Sequence, residues 1–498
     1  MGSQDDKTSD ASIKAMEELG RKIDGLSQKI SDLTQALSGM QTTAKAAAPA
    51  AMPAQSGLSI AIIGVRGHGQ NHIKAYNKLK DCYISYICDV DTKVGNAAAD
   101  AIKKVTGFRP KTVQNYREML KDPSVDAVVI CTPHHWHVLC AIDALKAGKH
   151  VYIEKPITHH YSERWSLLAA AKKYNGIVQA GTQLRSNQSL AAAGEYMRSG
   201  QLGAIEMVHC IVHKDRPPVA RSADAKVPAT VDYKMWSGPA KIEDVTRSKF
   251  HYHWHWIWRF GNGALGNNGI HRVDAARIAL DLKGYGDLVL SLGDRYGPPD
   301  SGETPNNMLT LHKFGDTWVL QDILGLNPEP YHGIENGVVF YGTKGTIVYK
   351  TGYAALVDEN FGELSRFDGK QLNHQFNFLK AIRDKDQSFA RGKLEEGIIS
   401  SDLCHFGNAS WCAGHRASFH EAETLLAGMN VPQRALERLE ALGRNLDQNG
   451  VGRSIVIGEI LELNEVGSKE PFTSKRGAEE FLTESYQPGF EIPSPEQV

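Results

Sequence analysis

The feature that most constrains the fold is a regular alternation of short apolar runs with amphipathic stretches between residues 58 and 180. The apolar runs predict buried strands, and the intervening stretches have the spacing of helices. This alternation is typical of βαβ units, which place successive strands in one parallel sheet with helices on its faces. The predicted strands are 58–63, 83–88, 125–131, 150–153 and 177–180, and the predicted helices are 70–80, 92–105, 137–147 and 162–174.

Beyond residue 181 the pattern changes, because strand-like runs follow one another with only turns between them. This order favours a second α/β domain with an open, mainly antiparallel sheet. We therefore divide the chain into a first domain, 58–181, and a second domain, 182–498, whose C-terminal part packs back on the first. The predicted strands of the second domain are 206–212, 288–292, 308–314, 317–324, 338–341 and 346–349, with helices 273–279 and 375–383 packed on this sheet.

The N-terminal segment differs from both domains. Apolar residues recur at alternating steps of three and four through residues 16–37, so residues 1–40 are predicted to contain an amphipathic, coiled-coil-like helix. Residues 41–57 are rich in Ala and Pro and nearly uncharged, which is typical of a linker. The helix either docks on its own domain, forms a coiled coil with another copy, or docks on another protein.

Composition excludes several classes of partner. The formal net charge of the 498-residue chain is −1, which gives no support to binding of nucleic acid or an anionic membrane. No apolar run has the length of a membrane span. The seven cysteines include no CxxC pair, so we predict no cysteine-based metal site and a reducing, cytoplasmic location. A periplasmic location is the alternative if an export signal has been removed.

The turn after the first predicted strand is rich in glycine. Gly64 permits a tight turn, Gly67 follows it, and Gly69 lets the next helix pack closely on the sheet, so that its first amides face a pyrophosphate. Arg66 stands where a dinucleotide fingerprint usually has its second glycine, and we predict that it projects toward phosphate. Asp89 ends the second predicted strand 20 positions after Gly69, where a carboxylate accepts hydrogen bonds from ribose hydroxyls and repels a 2′-phosphate. These residues predict NAD as the cofactor.

Two further strand ends are predicted to lie beside the cofactor, because ligands of open parallel sheets bind at the carboxyl ends of strands. The first carries Thr132, Pro133 and His137. The second carries Glu154 and Lys155. A lysine at this position can touch both the nicotinamide and a substrate hydroxyl. Although histidines are abundant after the first of these strands, the spacing of possible ligands there does not favour a metal.

The second domain contains two segments with chemistry-bearing side chains. Residues 251–258 alternate histidine with aromatic residues, and in an extended strand His255 and Trp256 would lie on opposite faces. We expect this segment to contact a sugar ring; a metal clamp and simple core packing are the alternatives. A glycine-rich loop then leads to Asn267 and His271, which lie four apart and share one face of a helix. His271 has the chemistry to take a proton from an alcohol.

Taken together, these motifs resemble the Gfo/Idh/MocA oxidoreductases, the family of glucose–fructose oxidoreductase and inositol dehydrogenase. The resemblance spans roughly residues 58–490, and several phrases are similar to a large subgroup from environmental and gut bacteria, many of which are exported by a twin-arginine signal. The residues that carry it are the 64–69 turn, Cys88-Asp89, Thr132-Pro133 with His137, Glu154-Lys155-Pro156, Gly269-Ile270-His271 and the segment 340–345.

The resemblance implies an N-terminal Rossmann domain and a C-terminal domain whose open sheet commonly mediates dimers or tetramers. It implies that Lys155 is the catalytic lysine and His271 the acid/base histidine. Asn267 occupies a position where the family often has Asp; an amide can orient a hydroxyl but cannot receive a proton at neutral pH. Gln183 and Arg185 are predicted, together with the 251–258 segment, to contact the sugar.

The sequence thus predicts an NAD-dependent oxidoreductase acting on a secondary hydroxyl of a sugar, glycoside or cyclic polyol. One alternative is an NAD-dependent glycoside hydrolase that oxidises C3 transiently and eliminates the aglycone. Another is a non-catalytic dinucleotide-binding scaffold.

Overall fold

The computed structural model describes residues 57–221, 225–350 and 352–498, together with Lys29. The predicted helix within residues 1–40 and nearly all of the predicted linker 41–57 lie outside the described residues. From Gly57 onward the described residues belong to one compact unit that contains two sheets.

The first sheet has six strands, all parallel, in the order β3-β2-β1-β4-β5-β6. This is the strand order of a Rossmann fold, so the predicted fold class of the first domain is confirmed. The order reverses between β1 and β4, and ligands of such sheets bind at this reversal. The strands are β1 Leu58–Ile63, β2 Cys82–Cys88, β3 Lys111–Val113, β4 Ala127–Ile130, β5 His150–Ile153 and β6 Val178–Ala180.

Helices cover both faces of this sheet. Because side chains alternate along β1, Ile60 and Ile62 belong to one buried apolar cluster and Ala61 and Ile63 to another. Each of these side chains is at most 5% exposed. The helices of the first domain are α1 Gly69–Tyr76, α2 Thr92–Thr106, α3 Tyr116–Leu120, α4 His137–Lys146 and α5 Glu163–Tyr174.

The second sheet has twelve strands and is mixed, because β7 and β10 pair in parallel whereas its other pairs are antiparallel. The prediction of a mainly antiparallel sheet is therefore confirmed. The strands are β7 Ile205–His213, β8 Leu288–Asp294, β9 Asn307–Phe314, β10 Thr317–Leu324, β11 Asn336–Gly342, β12 Gly345–Lys350, β13 Tyr353–Val357, β14 Glu363–Phe367, β15 His415–Ser418, β16 Ser454–Ile457, β17 Leu461–Leu463 and β18 Phe472–Thr473.

The described residues after the first domain form seven further helices: α6 Gln188–Arg198, α7 Tyr233–Ser237, α8 Ile270–Leu280, α9 His374–Asp384, α10 Leu394–Cys412, α11 Phe419–Gly428 and α12 Gln433–Gln448. Helices α6, α8 and α10 pack on one face of the second sheet, and α11 and α12 pack on the other. On α12, Leu439, Leu442 and Leu446 are completely buried against the sheet. Burial of each such side chain contributes about 1.5–3 kcal/mol.

One predicted packing was wrong. The predicted helix 375–383 corresponds to α9, but its Phe378 and Leu379 pack with β1 and β5 of the parallel sheet rather than on the second sheet. The amphipathic pattern of this helix indicates a buried face but not which sheet covers it. None of the helices in the described part of the chain is both long and apolar enough to cross a membrane.

Candidate active site

A cavity of about 440 Å³ opens at the carboxyl ends of β1, β2, β4 and β5. Its wall is formed on one side by the Rossmann domain, including the glycine-rich turn and Asp89. On the other side it is formed by residues of the second domain, including Asn267 and His271. The predicted cofactor and catalytic residues are therefore brought together around one cavity.

The glycine-rich turn has the geometry that a dinucleotide requires. Gly64 has a φ of +81°, and a Cβ there would lie 2.6 Å from the carbonyl oxygen of Cys131. A Cβ on Gly69 would lie 2.1 Å from the carbonyl oxygen of Gly64, so α1 can begin this close to the turn only because Gly69 has no side chain. Gly64, Arg66 and Gly67 line the cavity, whereas Gly69 packs behind it. The turn fits a pyrophosphate at the start of α1.

Asp89 follows β2, and its carboxylate lies on the cavity wall. Its Oδ2 accepts a hydrogen bond from the Val65 amide at 2.9 Å, and its Oδ1 accepts one from the Asp91 amide at 3.0 Å. Burial raises the pKa of Asp89 to about 6, although the two amide donors and Arg66 oppose this shift. The group is therefore ionised at neutral pH and retains free lone pairs for ribose hydroxyls.

Lys155 lies just beyond β5 and reaches across to the second domain. Its Nζ donates to the main-chain oxygen of Asn267 at 2.6 Å and to Asn267 Oδ1 at 3.2 Å. An ammonium carries three hydrogens, so one remains for an acceptor in the cavity that Lys155 lines. Burial lowers the pKa of Lys155, and the neighbouring Glu154 partly opposes this shift.

Glu154 directly follows β5 and holds the end of this strand through side-chain contacts. Its Oε1 lies 3.3 Å from His68 Nε2 and 3.0 Å from His72 Nε2, and it accepts a hydrogen bond from Gln183 Nε2 at 2.9 Å. Burial raises the pKa of Glu154, but the hydrogen bonds and charges of the two histidines outweigh this and hold it well below its usual range. Gln183, which was predicted to contact sugar, is thus engaged with Glu154 and does not line the cavity.

Asn267 and His271 lie where a π-helical turn, Leu265–Gly269, runs into α8. Such turns are rare and frequent at functional sites. Both residues line the cavity. Burial lowers the pKa of His271 well below its usual value, and the charges of Lys155 and Arg272 lower it further. Its imidazole is therefore neutral at pH 7 and able to accept a proton.

His137, at the start of α4, joins the two strand ends of the Rossmann domain. Its Nδ1 lies 2.6 Å from the carbonyl oxygen of Pro156, and its Nε2 lies 3.0 Å from that of Thr132. Burial lowers the pKa of His137, and the two carbonyls oppose this shift. Thr132, Pro133 and His137 all line the cavity. His137 therefore connects the loop that follows β4 to the main chain just after Lys155.

The segment rich in histidine and tryptophan is not extended; it forms a short 3-10 turn, His253–Trp256. His255 stacks on Trp254 with a ring separation of 3.6 Å, and both line the cavity. Trp256, predicted to contact the sugar, does not line the cavity; it is buried, with the Arg216 guanidinium 5.3 Å from its ring. In this turn Trp254 stacks on His255, whereas the ring of Trp256 lies 5.5 Å from that of His255 and is not part of the cavity wall.

Arg185 was also predicted to contact the sugar, but it does not line the cavity. Its guanidinium is buried against Asp274 of α8, with Nη2 2.6 Å and Nε 2.9 Å from Asp274 Oδ1. Burial lowers the pKa of Arg185, and the charges of Asp274 and Glu396 outweigh this and raise it. Arg185 thus fixes α8, the helix that carries His271.

Sequence reasoning missed two cations on the wall, Lys214 and Arg216, which directly follow β7. Arg216 Nη1 donates to the Tyr252 hydroxyl at 2.9 Å, and Tyr252 also lines the cavity. Their position directly after the first strand of the second domain was the sequence feature that could have identified them.

Two family models match the chain. Residues 58–182 match the model described as an oxidoreductase family with an NAD-binding Rossmann fold. Residues 219–288 match the model described as an oxidoreductase-family C-terminal α/β domain. The first match covers the glycine-rich turn, Asp89 and Lys155, and the second covers Asn267 and His271. The predicted cofactor, NAD, is confirmed by the first match.

Among curated proteins, the chain is similar to the glycosyl hydrolase family 109 protein 2 of Shewanella sp. strain ANA-3, with 34% identity over 139 residues. The match covers 26% of this chain and spans 30% of the length of that relative.

Among solved structures, the fold is similar to that of levoglucosan dehydrogenase in complex with NADH, with a TM-score of 0.52 and 18% identity over 71% of this chain and 97% of that one. It is also similar to the WlbA dehydrogenase of Bordetella pertussis in complex with NADH and UDP-GlcNAcA, with a TM-score of 0.51 and 20% identity over 69% of this chain and 93% of that one.

Proposed function

Because the chain belongs to the Gfo/Idh/MocA oxidoreductase family, we propose that it is an NAD-dependent enzyme that oxidises or reduces a secondary hydroxyl of a sugar, glycoside or cyclic polyol. The observation that carries this proposal is the convergence of Lys155, Asn267 and His271 on the cavity that the glycine-rich turn and Asp89 also line. Bound NAD supplies the hydride acceptor at this site.

Lys155 stabilises the negative charge that develops on the substrate oxygen as its carbon loses hydride. Two of its hydrogens are held by Asn267, so the third has a fixed direction into the cavity. A pre-oriented charged donor in a site that excludes water lowers the barrier by about 3–4 kcal/mol. The side chain of Asn267 thus acts on Lys155 as an orienting group rather than as a base.

His271 takes the proton of the hydroxyl. Its low pKa keeps the imidazole in the neutral form that can accept a proton. Arg272, which contributes to this low pKa, also disfavours a long-lived imidazolium, so the proton passes on to solvent after hydride transfer.

The wall formed by Trp254, His255 and Tyr252 holds the carbohydrate. Aromatic faces pack on the apolar side of a sugar ring, and imidazole and phenol groups exchange hydrogen bonds with its hydroxyls. Gln183 and Arg185 act behind this wall, where they fix Glu154 and α8.

A second candidate function is NAD-dependent glycoside hydrolysis, in which transient oxidation at C3 permits elimination of the aglycone with the C2 proton. Water then adds at C1, and hydride returned from NADH reduces the C3 ketone. The observation that favours it is the similarity to a glycosyl hydrolase family 109 protein. The same three residues serve both reactions, because both begin with removal of hydride and a proton. A non-catalytic scaffold is a third candidate, against which the presence of both Lys155 and His271 argues.

One experiment separates these functions. The protein is incubated with NAD and a panel of free sugars, cyclic polyols and aryl glycosides, while NADH absorbance and released phenol are both followed. Formation of NADH supports the dehydrogenase, and phenol release without NADH supports the glycosidase. Absence of both with every substrate, despite saturable NAD binding, supports the scaffold and contradicts the proposal.

We further propose that the enzyme is a cytoplasmic homo-oligomer, a dimer or tetramer, in which residues 1–40 mediate assembly or docking. All seven cysteines are free thiols, which suits a reducing compartment. Because α11 and α12 occupy one face of the second sheet and α6, α8 and α10 the other, a partner copy docks on these helices or on the sheet edge. Light scattering of the full chain and of a form lacking residues 1–55 tests whether that segment mediates assembly: equal subunit numbers in the two forms contradict a role in assembly.

A further inference from the structure

A second cavity, of about 280 Å³, lies between the loop that follows Lys155 and the C-terminal part of the chain. Among the residues described, it shares no wall residue with the active-site cavity. His159, His160 and Glu484 lie on its wall, and Glu484 comes shortly after the helical turn Ala478–Leu482. None of these groups takes part in the reaction proposed above.

Three potential ligand atoms converge at this cavity. His160 Nε2 lies 2.7 Å from Glu484 Oε2, and His159 Nδ1 lies 3.5 Å from the same oxygen. All three atoms lie within 4.8 Å of one another. A tetrahedral zinc ion, with bonds of about 2.0–2.1 Å, places its ligand atoms roughly 3.3 Å apart. The two distances to Glu484 bracket this value.

The far nitrogens of both histidines face backbone carbonyls. His159 Nε2 lies 2.9 Å from the carbonyl oxygen of Trp258, and His160 Nδ1 lies 3.4 Å from that of Phe481. Carbonyl and carboxylate oxygens both only accept, so a neutral ring donates to one of its two partners and faces the other with a lone pair. In the tautomer that donates to the carbonyl, the far nitrogen carries the hydrogen. In neutral rings, both near nitrogens then direct lone pairs at a carboxylate that also only accepts. A cation between the near nitrogens and the carboxylate would satisfy all of these groups at once, and histidines that bind metal characteristically donate their other N–H to a carbonyl.

In a second histidine–carboxylate cluster, around Glu154, the far ring nitrogens face hydrogen-bond donors instead of carbonyls. At Glu154, the far nitrogen of His68 faces the Asn71 side-chain amide at 3.2 Å, and that of His72 faces the Gln375 amide at 3.4 Å. An amide nitrogen only donates, so these far nitrogens accept and both Nε2–H groups donate to Glu154. Both rings can therefore donate to Glu154 without a metal ion, and the carboxylate raises the pKa of His68.

The turn that presents the two histidines is itself fixed by a second carboxylate. Glu163 Oε2 accepts hydrogen bonds from the main-chain amides of His159 at 2.7 Å and His160 at 3.2 Å. Glu163 is buried, and burial raises its pKa to about 7. The two histidines are thus presented by a turn that Glu163 holds through two main-chain amides.

We propose that His159 Nδ1, His160 Nε2 and Glu484 Oε2 bind one divalent transition-metal ion, zinc by the chemistry of its ligands. Two imidazoles and one carboxylate leave a fourth position, which faces the cavity and takes water. The ion ties the C-terminal segment to the loop four residues after Lys155. The alternative is that a proton supplies the positive charge, as a His160 imidazolium paired with Glu484.

The test uses the full chain without a histidine tag, freed of metal with a chelator and titrated with Zn²⁺ in a calorimeter. We expect one equivalent of zinc to bind to the wild type, and affinity to fall at least tenfold in the variants Glu484→Gln and His160→Gln. His68→Gln tests the other cluster, and His420→Gln tests a surface histidine; both should bind zinc like the wild type. The melting temperature should rise with zinc in the wild type but not in Glu484→Gln.

Absence of stoichiometric zinc binding by the wild type overturns the site, as does unchanged zinc affinity in folded Glu484→Gln and His160→Gln. If neither variant folds, Co²⁺ bound to the wild type decides. Intense visible absorption of bound Co²⁺, abolished by competing Zn²⁺, supports a four-coordinate site, and its absence contradicts one.

Discussion

The ammonium of Lys155 is fixed by a single residue of the other domain, Asn267, through both a main-chain and a side-chain oxygen, at 2.6 and 3.2 Å. The π-helical turn places that main-chain oxygen toward the Rossmann domain. The contact therefore couples the end of β5 to the start of α8. It orients the lysine and, through the same helix, sets the position of His271 relative to it.

Replacement of Lys155 by Ala should leave NAD affinity nearly unchanged and reduce turnover by about 10²–10³-fold, because a pre-oriented charged donor to the reacting oxygen is lost. Turnover is measured with the best substrate of the panel, and NAD affinity by quenching of tryptophan fluorescence. Lys283→Ala, which removes an exposed lysine, is the control. Unchanged turnover in Lys155→Ala would refute the role of this residue.

The pH dependence of kcat should report the protonation of His271. Burial lowers the pKa of His271 well below 6.5, so it stays a neutral base as the pH falls through its ordinary value. With saturating NAD, kcat should therefore remain level down to pH 6.5 and fall only at lower pH, where His271 becomes protonated. His271→Gln should lower kcat and abolish this acid limb. An acid limb with a midpoint above pH 6.5 that disappears in His271→Gln would contradict the assignment.

Because of Asp89, NAD affinity should begin to fall at a higher pH than it would with a carboxyl group of ordinary pKa. Its pKa is raised to about 6, and only the ionised form accepts from both ribose hydroxyls. KM for NAD should therefore be constant above pH 7 and rise as the pH falls through about 6, well above the usual aspartate value of about 3.9. Asp89→Asn should raise KM at all pH values and remove this dependence. Asp100→Asn, on an exposed face of α2, should change neither.

Five strands of the Rossmann domain could be predicted to within two residues at each end because each lies in an apolar run, whereas β3 and the helices α6, α10, α11 and α12 were not predicted. The apolar runs of β1 and β5 match the predicted strands residue for residue, since both are buried on two faces and are followed by Gly64 and Glu154, respectively. The 253–256 turn could not be predicted, because alternating histidine and tryptophan fit a strand equally well. For α9, the sequence shows a buried face but contains no information on which sheet lies against it.

In the candidate site, the residues that could be predicted are those tied to a local motif. Lys155 and Asp89 follow strands, and His271 follows a glycine-rich loop. Arg185 and Gln183 were placed wrongly because their partners, Asp274 and Glu154, are distant in sequence. A polar side chain near a predicted site fits a substrate contact and a buried ion pair equally well until the fold brings its partner alongside.

Arg185 should therefore behave as a structural residue. Replacing it by Met leaves Asp274 buried with only part of its hydrogen-bonding capacity satisfied, by Ser400. Breaking a buried ion pair costs about 3–5 kcal/mol. We expect the free energy of unfolding, measured in urea, to fall by an amount in this range. Displacement of α8 should also lower kcat more than it raises KM for the sugar. A higher KM with unchanged stability would instead restore the direct sugar contact.

The 3-10 turn offers a matched pair of histidines with different roles. His255 lines the cavity, whereas His253, two positions earlier, is buried and does not. Burial lowers the pKa of His255 to about 3, so it meets the sugar as a neutral hydrogen-bonding group. Loss of one such bond costs about 0.5–1.5 kcal/mol, so His255→Ala should raise KM for the sugar up to about tenfold, with NAD affinity unchanged. His253→Ala should lower the melting temperature and leave KM as it is. Equal changes of KM in the two variants would show that the turn acts only as packing, and that the carbohydrate lies against another part of the wall.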